Sequence, residues 1–90
     1  MHSVVLELVK DLSGGNPGAL KVLVELIKDD DESFFNPFVI AFKMTKSKPY
    51  AIWLAYKKCE FNLKDTKTFL RDWYSNSVEP LEIWLENKGT

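Results

Sequence analysis

Apolar residues recur along this chain at helical period, in blocks separated by Gly, Pro, Asn and Ser. Val5, Leu8, Val9 and Leu12 fall at i, i+3, i+4 and i+7, one stripe of an amphipathic helix. Ser3 is placed to cap that helix and Ser13-Gly14-Gly15 to stop it. Asn16-Pro17 then reads as an N-cap with proline at the first helical position, where its missing N–H costs nothing. The second helix is expected over residues 17 to about 28. Ala19, Leu20, Val22, Leu23, Val24, Leu26 and Ile27 leave it only a narrow polar edge, so it belongs at the centre of the molecule.

Asn36-Pro37 repeats the start signal, and a third helix is expected over residues 37 to about 44. The run Phe38 to Phe42 is continuously apolar and fits a buried strand as well, but no other segment offers a partner strand. Ser47 is placed to cap a fourth helix, with Pro49 in its first turn and its end near Cys59. That helix shows no polar residue from Tyr50 to Tyr56, a pattern that predicts burial. Asn62 opens a fifth helix with Asp65 at N3 and Leu63, Thr66, Leu70 and Trp73 on one face; Asn76 ends it. Ser77 is placed to cap a sixth over residues 78 to about 88. Val78, Leu81, Trp84 and Leu85 form its inner face, and Gly89 closes it.

The pattern predicts an all-α fold, a compact orthogonal bundle of five or six short helices in one domain over residues 1–90. The expected core is Val5, Leu8, Val9, Leu12, Leu20, Leu23, Val24, Ile27, Phe38, Phe42, Ile52, Ala55, Leu70 and Trp73. Pro49-Tyr50-Ala51-Ile52-Trp53-Leu54 echoes Pro80-Leu81-Glu82-Ile83-Trp84-Leu85, and Phe38 and Phe42 keep the same offset from Phe69 and Trp73. A duplicated helical hairpin and two helices built from common residues both account for the echo.

Composition narrows the class. Ninety residues with 46% hydrophobic and 28% charged side chains suit one globular core. A single cysteine, Cys59, cannot close an intramolecular disulfide, which favours a reducing cytoplasm. No apolar stretch reaches the ~18 residues of a membrane span, so no membrane partner is expected.

No motif for catalysis, metal or nucleotide stands out. His2 lies beside the N-terminus, where a fixed second shell is hard to supply. Cys59, near a helix C-terminus, faces the end of the dipole that disfavours a thiolate, and is expected to pack beside Ala55 and Ile52. The run Asp29 to Glu32 lacks the alternate spacing and glycine of a calcium loop and reads as a solvated loop ahead of a helix start. Gly14-Gly15-Asn16-Pro17-Gly18 precedes a helix N-terminus as phosphate loops do, but follows a helix and lacks the lysine and serine of such a loop. Neither an enzymatic activity nor a cofactor is therefore expected.

Charge is unevenly laid out. Residues 1–40 carry three lysines and seven acids; residues 41–71 carry eight basic residues and two acids; residues 72–90 carry one lysine and four acids. Lys43, Lys46, Lys48, Lys57, Lys58, Lys64, Lys67 and Arg71 make a candidate basic patch, and Tyr50, Trp53 and Tyr56 within it are able to stack on bases. Arg71 is the only arginine, which counts against sequence-specific readout.

Ser13-Gly14-Gly15-Asn16-Pro17-Gly18-Ala19-Leu20 and Ile52-Trp53-Leu54-Ala55-Tyr56-Lys57 resemble a family of small bacterial and phage proteins. Its members share a Gly-Asn-Pro-Gly-Ala-Leu turn, an Ile-Trp-x-x-Tyr-Lys helix and a cysteine a few residues on, here Cys59. The resemblance covers residues 4–70. The family's glycine ahead of the Ile-Trp helix is absent, with Lys48-Pro49-Tyr50 in that region. The resemblance implies a small cytoplasmic or phage-encoded helical protein and assigns no functional residue.

The expected role is a non-catalytic protein-interaction module, self-associating as a homodimer or binding another protein. Tyr50, Trp53 and Ile83 are the candidate interface, because each lies off the best inner stripe of its helix. The alternative is a nucleic-acid-associated accessory protein using the basic segment 43–71.

Overall fold

Two asparagines open helices in the same way. Asn16 Oδ1 accepts the N–H of Ala19 at 3.0 Å, and Asn62 Oδ1 accepts that of Asp65 at 2.9 Å. Each satisfies a donor that the first turn of a helix leaves unpaired. The computed structural model describes residues 3–29 and 32–88. Among these it has no strand and six helices: α1 (Ser3–Ser13), α2 (Pro17–Lys28), α3 (Glu32–Thr45), α4 (Tyr50–Lys58), α5 (Leu63–Asn76) and α6 (Leu81–Lys88). The fold is the expected all-α bundle, and the apolar run 38–42 is helical. The radius of gyration, 11.8 Å, matches the ~12 Å of one domain of this length. Among the described residues no helix is long and apolar enough to cross a membrane. Expectations placed on His2, the side chain of Ser3, Asp30, Asp31 and Gly89 fall outside the described residues.

The central placement of α2 holds. It packs against α1, α4 and α5, burying Ala19, Val22, Leu23 and Leu26. The rest of the core is Val9 and Leu12 of α1, an aromatic ladder on α3, Ala51, Ile52 and Ala55 of α4, Leu70 and Trp73 of α5, and Leu81, Trp84 and Leu85 of α6. Val5, Leu8, Leu20, Val24 and Ile27, expected inside, are only partly buried at its margin. The α3–α5 contact is aromatic. Phe34 stacks on Phe38 at 5.6 Å, and the Trp73 ring meets Phe38 and Phe42 edge-on at 6.0 and 6.2 Å. Such pairs add to plain area burial.

Three helix starts differ from expectation. The third helix begins at Glu32 rather than Pro37, so Pro37 sits in its interior without an N–H for the carbonyl four residues back. The earlier start buries Phe34 and Phe35. At about 2–3 kcal/mol each, these outweigh a proline that costs about 3 kcal/mol. Ser47 does not cap α4. Its hydroxyl meets Thr45 Oγ1 at 2.9 Å and accepts the N–H of Leu81 at 2.7 Å, so it serves the start of α6 instead. The sixth helix begins at Leu81, because Pro80 disfavours helical geometry at Glu79 while its own carbonyl takes the first helical N–H groups. Ser77 Oγ accepts the N–H of Glu79 within that turn, and Val78, expected on the inner face, is 93% exposed.

The internal echo has a structural counterpart. Glu32 and Leu63, Thr45 and Asn76, and Tyr50 and Leu81 are helix ends each separated by 31 positions. Burial recurs at that offset between α3 and α5, in Phe35 and Thr66, Val39 and Leu70, and Phe42 and Trp73. Between α4 and α6 it turns over. Buried Ala51, Ile52 and Ala55 correspond to Glu82, Ile83 and Glu86, of which none is buried. Buried Leu81, Trp84 and Leu85 correspond to Tyr50, Trp53 and Leu54, likewise none of them buried.

Candidate interface on the outer face of α4

The fourth helix is apolar on both sides but covered on one. Ala51, Ile52 and Ala55 are fully buried where α2 and α5 pack on it. Tyr50 and Leu54 are 40% and 37% exposed, so the burial expected for the whole helix applies to only half of it. Ala51, Ile52 and Ala55 lie against neighbouring helices, Trp53 and Tyr56 are half-buried against the core, and Tyr50 and Leu54 are exposed.

Trp53 lies at the seam with α2, half-buried. Its ring rests on Gly18, where an added Cβ would stand 2.8 Å from Trp53 Cδ2. Beyond it, Tyr56 and Phe61 complete an aromatic triangle with centroid distances of 5.4 to 5.9 Å. Phe61 is 55% exposed and has φ of +60°, directly after Glu60 at +55°. Left-handed backbone at two successive residues with side chains costs on the order of 1 kcal/mol apiece. The hydrogen bonds that hold it close the end of α4: Glu60 N–H to Lys57 O, Phe61 N–H to Tyr56 O and Asn62 N–H to Cys59 O, each 3.0 Å. A helix end of this kind normally carries glycine.

Of the three expected interface residues, Tyr50 and Trp53 share this face. Ile83 is 44% exposed on α6, whose first turn is tied to the loop just ahead of α4 by Leu81 N–H to Ser47 Oγ and Lys48 N–H to Glu82 Oε2 at 3.2 Å. Sequence patterning missed Leu54 and Phe61. Leu54 stands four residues after Tyr50 and so shares its face; nothing in the sequence marks the left-handed turn at Phe61. A second exposed apolar pair, Ile40 and Met44, lies on α3.

The basic residues do not form one patch. Lys43 and Lys46 line a cleft with Asp11 and Pro49, and Lys43 Nζ is 3.7 Å from Asp11. Lys48 lies ahead of α4 and Lys57 and Lys58 at its far end, about 14 Å away at 1.5 Å per residue. Lys64 follows in the first turn of α5. Lys67 is bound to Asp29 at 2.8 Å, and both Lys67 and Arg71 lie over the Phe34 ring. Asp29 thus pairs with one cation of the basic helix.

Cys59 ends α4. Its side chain is half-buried and lines an open groove with Lys58, Glu60, Asp65, Thr68, Phe69 and Asp72. Burial raises its thiol pKa, and the Asp65 carboxylate adds to this. A hydrogen bond with Thr66 and the charge of Lys58 offset part of the rise. Among the described residues no group of three or more His, Cys, Asp and Glu is placed to hold a metal ion.

The stretches that carry the family resemblance meet in space, Gly18 of one against Trp53 of the other. Compared with family models, curated proteins and solved structures, the chain matches none.

Proposed function

We propose that this protein is a non-catalytic interaction module and that the outer face of α4 is its protein-binding surface. One observation carries the reading: Tyr50, Trp53, Leu54 and Phe61 place large, partly exposed apolar groups on one short helix and its C-terminal turn. Tyrosine and tryptophan lose little side-chain entropy on binding and are the residues enriched where interfaces are strongest. The partner is another protein or a second copy of this chain. A cytoplasmic setting, bacterial or phage-encoded, follows from the single cysteine and from the resemblance.

Nucleic-acid binding through the basic segment is the competing reading, favoured by Lys57 and Lys58 beside the aromatic triangle. Lys64, Lys67 and Arg71 do line one groove with Asp29, but the pairing of Lys43 with Asp11 and of Lys67 with Asp29 counts against it. Titration with single-stranded and duplex oligonucleotides at low and high salt separates the two. The proposed reading expects no more than weak association that high salt abolishes. Tight binding that is lost in a Trp53→Ala variant of unchanged fold would replace it with the nucleic-acid reading.

A further inference from the structure

We draw no further inference here: the strongest candidate, the exposed apolar patch of Tyr50, Leu54 and Phe61 on α4 and its C-terminal turn, belongs to the surface already described, and nothing in the structure shows what covers it.

Discussion

Gly18 and Trp53 are in contact so close that glycine is the only residue that fits: a Cβ at position 18 would lie 2.8 Å from Trp53 Cδ2 and 2.9 Å from Cγ. Gly18 stands in the first turn of α2 and Trp53 in the middle of α4. Through this contact the two resemblance motifs become one piece of packing, with the indole of α4 seated against the first turn of α2.

Gly18→Ala should therefore destabilise the protein by about 1–3 kcal/mol, as overpacking does. In an open helix the same change stabilises by up to about 1 kcal/mol. Denaturant unfolding gives the sign directly, and pairing the change with Trp53→Ala should abolish most of the penalty.

Leu23 is fully buried at the centre of α2, so Leu23→Ala should cost about 2–5 kcal/mol. Val78, expected on the inner face of the sixth helix with Leu81, Trp84 and Leu85, is 93% exposed, and Val78→Ala should change stability by no more than about 0.5 kcal/mol. Thermal melts of the two variants side by side check both.

Ser47→Ala should loosen α6 rather than α4, since the hydroxyl accepts the N–H of Leu81 at 2.7 Å. Losing such a cap costs about 1 kcal/mol. Amide hydrogen exchange should rise at the start of α6 and stay unchanged at Ala51 and Ile52. Faster exchange confined to α4 would restore the cap the sequence suggested.

Cys59 should react slowly. Burial raises its pKa above the ordinary 9.0, so at neutral pH the thiolate fraction is smaller than that of a free cysteine, and it increases steadily as pH rises into the alkaline range. Alkylation by iodoacetamide at pH 7.5 should lag behind glutathione and accelerate into the alkaline range. A rate that levels off below pH 8 would show a lowered pKa instead.

Local capping chemistry was the most legible part of the chain. Asn16-Pro17 and Asn62 mark the starts of α2 and α5 to the residue, because the signal lies within one turn. The start of α3 was hidden because the same Asn-Pro signal recurs inside the helix, where the burial of Phe34 and Phe35 overrides it. At Ser47 the cap donor lies 34 residues away, beyond any local pattern. The candidate site was half legible. Tyr50 and Ile83 were placed off the inner stripes and are exposed. Leu54 was read as buried because an all-apolar helix does not say which side its neighbours cover. Phe61 was missed because its exposure follows from two left-handed residues with no glycine to announce them.

The central claim is that the outer face of α4 exists to bind a protein. Its most direct test is photo-crosslinking in the producing cells from position 54, with position 40 on α3 as control, since Ile40 is equally apolar and 59% exposed. The expected result is a discrete, nuclease-resistant protein adduct from position 54, lost with Tyr50→Glu and absent from position 40. No adduct from position 54, an adduct that nuclease destroys, or one that forms only from position 40 would contradict the claim.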